Sequence, residues 1–268
     1  MNVYGTEQIR NVVLLGHGGA GKTTVAEAMA LITGVTKRMG KVADGNTISD
    51  YDKEEIKRQF SISTTLIPLE YQGENGPVKI NLLDTPGFFD FVEAISVADA
   101  AIIVVNCKAG IEPGTERAWE MCEKYNLPRL IFVTNMDDDH ASYRELVVKL
   151  EKKFGRKIAP FQLPIRENEK FVGYVNVVKM AGRRFTNLSD YVECEIPDYV
   201  QKNLTIARDA LIEAVAETSE EYMERYFSGE EFTLDEIQGA LREHVIDGSI
   251  VPVLMGSGIN CQGFKTLL

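Results

Sequence analysis

Eight residues constrain this chain more than any others: Gly16-His17-Gly18-Gly19-Ala20-Gly21-Lys22-Thr23. They follow directly on Asn11-Val12-Val13-Leu14-Leu15, a continuous apolar run of the kind a buried parallel strand needs. Val25, Ala28, Met29 and Ile32 then repeat at helical spacing. Strand, glycine-rich loop and helix in this order match the pattern G-x-x-x-x-G-K-[ST]. Glycines allow backbone N–H groups to turn inward around phosphate oxygens, and the helix aims its positive end at the same place. Lys22 is expected to reach the β- and γ-phosphates of a nucleoside triphosphate, and the Thr23 hydroxyl to complete a Mg²⁺ shell. A chance glycine-rich turn is the rival reading, but it does not account for the placement between a buried strand and an amphipathic helix.

Two further motifs narrow the choice. Leu82-Leu83-Asp84-Thr85-Pro86-Gly87 ends another apolar run. A carboxylate there can hold Mg²⁺ through water, and the Gly87 N–H can sense a γ-phosphate. In isolation Asp-Thr-Pro-Gly is simply a good turn. Placed about sixty residues after the glycine-rich loop, it separates GTPase-type switches from kinases of small metabolites. Thr134-Asn135-Met136-Asp137 ends a third apolar run. Asp137 can accept hydrogen bonds from guanine N1 and N2, a donor pair that adenine lacks. The alternative is a helix N-terminus, since Asp137, Asp138 and Asp139 would suit its positive end. Gly256-Ser257-Gly258 could offer backbone to guanine O6, although its composition is that of an ordinary loop. Asp44, Asp50 and Asp52 are expected to be solvated, as are Lys57 and Arg58. The three histidines show no ligand spacing, so no zinc site is assigned.

The 268 residues suit one α/β domain, with or without an insertion. Apolar runs at 101–105, 129–133 and 250–255 alternate with helical patterns around 115–125 and 141–154, which predicts a mostly parallel sheet with helices on both faces. Residues 37–59 read as a long mobile loop with some helix. Residues 61–71 alternate like a strand, and Pro68 puts that strand at an edge. A turn at 73–77 and a strand at 78–83 complete a hairpin. Between 160 and 248 the rhythm changes. Residues 171–178 read as strand, and three helices follow, two of them marked by capping-box spacing at Thr218…Glu221 and Thr233…Glu236. The expected division is a nucleotide-binding domain over 1–159 and 249–268, with a small α+β subdomain inserted at 160–248. Residues 263–268 resemble the first turn of a helix, as if the chain were cut from a longer protein whose later domains are missing.

The formal charge of −11 argues against broad binding of polyanions such as DNA, though not against a local contact with RNA. No apolar run reaches the ~18 residues of a membrane span, and the first ten residues lack a signal-peptide pattern. The four cysteines, Cys107, Cys122, Cys194 and Cys261, include no Cys-x-x-Cys pair and are expected to be reduced, buried thiols of a cytoplasmic protein.

Together these pieces resemble the translational GTPases, and among them elongation factor G. The resemblance spans nearly the whole chain. It includes the loop with its second threonine, Thr24. It includes Asp84-Thr-Pro-Gly-Phe-Phe-Asp-Phe91, Gln162-Leu-Pro-Ile165, Ile212-Glu-Ala-Val-Ala-Glu217 and Val251-Pro-Val-Leu-Met-Gly-Ser257. The stretch 160–248 is similar to the extra subdomain of that factor. The resemblance implies a P-loop NTPase G domain that binds GTP and GDP with Mg²⁺, works as a monomer, and hydrolyses GTP during translocation on the ribosome. Thr23, Ser61 and Asp84 would hold the metal. Lys22, Thr23 and Gly87 would act on the phosphates. Three departures suggest a divergent paralogue. Phe88 stands where the family has the histidine that positions the attacking water. Thr134-Asn135-Met136-Asp137 replaces N-K-x-D, which implies weaker nucleotide binding through loss of the asparagine brace and the lysine that packs on the base. Ser61 replaces a metal-contacting threonine. A GTP-binding ribosomal switch with little hydrolysis, and a tetracycline-type ribosomal protection protein, remain the alternatives.

Overall fold

The computed structural model describes residues 3–73, 76–87 and 91–268. Those residues build a seven-stranded sheet. Its spatial order is β2 (Thr65–Gly73), β3 (Gly76–Asp84), β1 (Ile9–Leu15), β4 (Ala100–Asn106), β5 (Arg129–Thr134), β11 (Val251–Met255) and β6 (Ile158–Pro160). The pairings from β3 to β6 are all parallel, and β2 alone runs antiparallel, against β3. The continuous apolar runs are thus the strands covered on both faces, as parallel sheets require. Leu14 packs into one core, and its neighbours Val13 and Leu15 pack into the other. On the first face lie α1 (Lys22–Ile32) and α9 (Phe264–Leu267), meeting Leu82, Val104 and Phe132. On the second lie α3 (Val92–Ser96), α4 (Pro113–Lys124) and α5 (Tyr143–Phe154), whose Ile95, Trp119 and Leu146 cover Val105 and Val133.

The hairpin behaves as its pattern implies. Ile67 and Leu69 of β2 point inward, while Leu66, Pro68 and Glu70 face solvent at the open edge. The strand starts later than its alternation suggested. Residues 61–63 belong to the preceding loop, where side chains hold them in place of a ladder. That loop contains α2 (Lys53–Arg58), capped by Asp52, which accepts from the Glu54 N–H.

A second, four-stranded antiparallel sheet has the order β10 (Tyr191–Cys194), β9 (Ala181–Phe185), β8 (Lys170–Asn176) and β7 (Gln162–Glu167). With it pack α6 (Asp198–Ala216) and α8 (Leu234–Ile246), burying Val175, Leu204, Leu211, Val215, Ile237 and Leu241 in a third core. Only β8 was legible as a strand. The others are short hairpin strands carrying Arg166, Arg183, Arg184 and Glu193, and a half-solvated antiparallel strand needs no apolar run. The helix α7 (Glu220–Ser228) begins one residue later than Thr218 implied. Ser219 is its cap, accepting from the Tyr222 N–H at 3.1 Å. The box at Thr233 and Glu236 is formed as expected. Of the four free thiols, Cys107, Cys122 and Cys261 are buried. Cys194 is half-buried, contrary to expectation, because β10 is an edge strand.

Candidate nucleotide site

The site lies where the central strands end. β1 stops at Leu15, and α1 starts at Lys22, capped by Gly21 in the left-handed region. Gly16 has φ 140°, and a Cβ there would fall 2.4 Å from the Val104 carbonyl, so only glycine lets the chain leave the sheet this way. The Lys22 ammonium is buried and donates to the carbonyls of Gly16, at 3.1 Å, and His17, at 3.0 Å. Burial pulls its pKa down to about 8, against the opposing pull of Asp84, Asp50 and Glu112. His17 turns away toward α4, where its Nδ1 accepts from the Gly114 N–H at 3.3 Å.

Three separate stretches of sequence meet at Thr23. Its hydroxyl donates to Asp84 Oδ2 at 3.0 Å and lies 3.2 Å from the Ser61 hydroxyl. The Ser61 hydroxyl donates in turn to Asp50 Oδ1 at 2.7 Å. Asp50 is therefore not a solvated residue, as its polar surroundings suggested. It is 4% exposed, because the loop folds back over α1 and seats Ile48 against the helix's apolar face. Asp44 and Asp52 are exposed as expected, and Arg58 pairs on the surface with Glu54. Burial pushes the Asp84 carboxyl up to about 6 and raises Asp50 as well. Among the described residues, Asp84 Oδ1 and Asp50 Oδ2 are buried without a hydrogen-bond partner. Two hydroxyls and two carboxylates with spare lone pairs form a hard-oxygen donor set of the kind Mg²⁺ takes. The donors therefore fit a divalent cation, and the buried Lys22 fits a phosphate beside it.

Gly87 comes against the loop from the other side. A Cβ on it would lie 2.5 Å from Gly18 N and 2.8 Å from Lys22 Nζ, so any larger residue would push the two segments apart. Thr85 fixes this approach by donating to the Leu14 carbonyl at 2.5 Å. Phe88 lies outside the described residues, as do Phe89 and Asp90.

The fourth stretch is also brought in. The Thr134 hydroxyl donates to the Ala20 carbonyl at 2.7 Å. The brace that N-K-x-D implies is thus present, supplied by a threonine where the sequence suggested it was lost. Asn135 adopts φ 59° and is exposed, Met136 is buried, and Asp137 is exposed. The three aspartates do not cap α5, whose N-cap is Ser142. Asp138 instead accepts from the His140 N–H and pairs with Lys108. The Met136 N–H donates to the Gly256 carbonyl, and a Cβ on Gly258 would lie 2.6 Å from Thr24 Cγ2. Ser257 is fully buried, paired through its backbone with Gln262. Both loops named as base-reading candidates therefore stand at the N-terminal end of α1. A groove of about 1040 Å³ between α5 and α6 contains none of these residues.

Residues 7–268 match the model of the elongation factor Tu GTP binding domain. The chain belongs to that family. It is 36% identical over 271 residues to elongation factor G of Neorickettsia sennetsu, covering 98% of this chain and 38% of that protein. A crystal structure from Thermus thermophilus superposes with a TM-score of 0.89 at 36% identity, over 97% of this chain and 39% of the other. The chain spans about two fifths of the length of these relatives. The matched range includes the phosphate loop, the Asp84 turn and the Asp137 loop. Among the described residues no helix is long and apolar enough to cross a membrane.

Proposed function

We propose that this chain is the GTP-binding G domain of an elongation factor G-type translation factor, acting with the ribosome in the cytoplasm as a monomer. Its nucleotide-binding part comprises 1–159 and 249–268, and 160–248 is the inserted subdomain. The observation that carries the reading is the meeting at Thr23: its hydroxyl touches both Asp84 and Ser61, residues 61 and 38 positions away. Beside the buried Lys22 ammonium, this convergence supports a site for a cation and a phosphate.

In this reading Gly16, His17, Gly18, Gly19, Ala20 and Gly21 offer backbone to the phosphates. Lys22 balances their charge, and Gly87 donates its N–H to the γ-phosphate. Thr23, Ser61 and Asp84 would hold Mg²⁺, with Asp50 orienting Ser61. When bound, Mg²⁺ would offset charge on the β- and γ-oxygens. Asp137 accepts from the guanine, Gly256, Ser257 and Gly258 line its O6 edge, and Thr24, Thr134 and Asn135 support the pocket. Calorimetry tests this: GTP should bind well over tenfold more tightly than ATP, and Lys22→Ala should abolish tight binding. Equal affinity for the two nucleotides would overturn the assignment.

Phe88 supports a second reading, in which GTP is bound and exchanged but barely hydrolysed. A phenyl ring offers no hydrogen bond to an attacking water, and phosphoryl transfer depends on positioning.

A further inference from the structure

The loop that brings Ser61 to Thr23 is held by a buried glutamate that no motif marks. Glu27 is 1% exposed. Its Oε2 accepts from the Gly40 N–H at 2.7 Å and its Oε1 from the Ile48 N–H at 2.5 Å. One carboxylate thus ties down two points of the loop, eight residues apart. Glu27 lies four residues after Thr23 on α1, and residues at that spacing share a helix face. The same face therefore presents the hydroxyl that meets Ser61 and, one turn on, the carboxylate that grips the loop. Gly40 is matched to it: a Cβ there would fall 2.6 Å from Glu27 Oε2 and 2.8 Å from the Asn46 carbonyl.

From Ile48 the chain runs to Asp50, which accepts from Ser61. A second buried glutamate, Glu55, accepts from the Ile62 and Ser63 N–H groups and fixes the segment just beyond. Ser61 is thus held from both sides, and the Glu27 tie joins residues 40–48 to α1, the helix that carries Thr23.

We propose that Glu27 is a positioning residue, a clamp that holds residues 40–48 on α1 so that Ser61 stays within reach of the cation at Thr23. The proposal rests on the GTP and Mg²⁺ reading above. It assigns Glu27 no contact with nucleotide or metal.

The test compares wild type, Glu27→Ala, Gly40→Ala and the double variant in the full chain, with a fluorescent GTP analogue titrated with Mg²⁺. Each single variant should raise the half-saturating Mg²⁺ concentration about tenfold, the scale of losing buried hydrogen bonds to a charged acceptor. Nucleotide affinity in EDTA, where there is no cation for Ser61 to reach, should not change. The double variant should be no worse than the singles, because both open one clamp. Glu27→Gln, which keeps one acceptor oxygen, should recover part of the loss. Trypsin cleavage after Arg38, Lys41 or Lys53 in nucleotide-free protein should quicken about tenfold in both single variants. Unchanged Mg²⁺ dependence, equal losses with and without Mg²⁺, or unchanged cleavage would each overturn the clamp. Wild type that fails to bind the analogue would overturn the GTP reading alone, with the cleavage rates still deciding the clamp.

Discussion

The Thr134 hydroxyl ties the end of β5 to the phosphate loop through the Ala20 carbonyl, at 2.7 Å. It also reaches the Val105 carbonyl at 3.3 Å, so one side chain links two strand ends and the loop. Thr134→Val keeps the shape and removes the donor. Stability should fall by about 1 kcal/mol, and GTP affinity by about fivefold. Thr134→Ser should retain both. Thermal unfolding and calorimetry measure the two effects, and a Val variant with unaltered affinity would remove Thr134 from the binding apparatus.

Phe88→His should raise multiple-turnover GTP hydrolysis with ribosomes by at least about tenfold, the lower range for a restored proton-handling or positioning group. GTP affinity should stay as it was. A wild-type rate already fast, and not improved by histidine, would end the low-hydrolysis reading.

The start of α8 offers a test away from the nucleotide. Glu236 accepts from Arg225 and from the backbone and side chain of Thr233, and these partners hold its carboxyl down at about 2. A carboxyl with a depressed folded-state value contributes stability above its unfolded value, near 4.5, and loses that contribution as pH falls toward 2. Glu236→Gln should therefore flatten the acid limb of the stability profile, with little change between it and wild type below about pH 2. Thr233→Ala removes the cap and should cost about 1 kcal/mol at neutral pH by chemical denaturation.

Thiol labelling should follow burial. Burial pushes Cys122 up to about 12 and Cys107 to about 11. At pH 8 an alkylating reagent should modify Cys194 first, the half-buried thiol at an edge strand, and should reach Cys107 and Cys122 only after unfolding. Peptide mapping at timed intervals checks the order. Early modification of Cys122 would mean that α4 opens readily.

What was legible in the sequence was what repeats. The longer parallel strands announced themselves because burial on both faces demands unbroken apolar runs, as at residues 101–105 and 129–133, whereas the three-residue β6 is too short to show a pattern. The phosphate loop was legible because its backbone path demands glycine. The strands of the second sheet were not, since Arg183 and Arg184 can sit on a half-solvated hairpin without breaking it. Asp50 and Glu27 were harder still. Each is an acidic residue in polar or helical sequence, and only the long-range fold of residues 37–63 over α1 decides that it is buried. Thr134 was misjudged for a related reason. Its motif departs from N-K-x-D in letters, yet a shorter side chain still reaches Ala20.

The strand β2 has a single neighbour, β3, and the loop carrying Ser61 feeds straight into it. Displacing an inner strand would break two ladders; displacing this one strains only one. A pull on Ser61 would therefore be delivered to an edge strand held by one ladder, not to the inner strands. β2 can act as a compliant arm on a stiff frame, moving while β3, β1, β4 and β5 keep Asp84 and the phosphate loop in place.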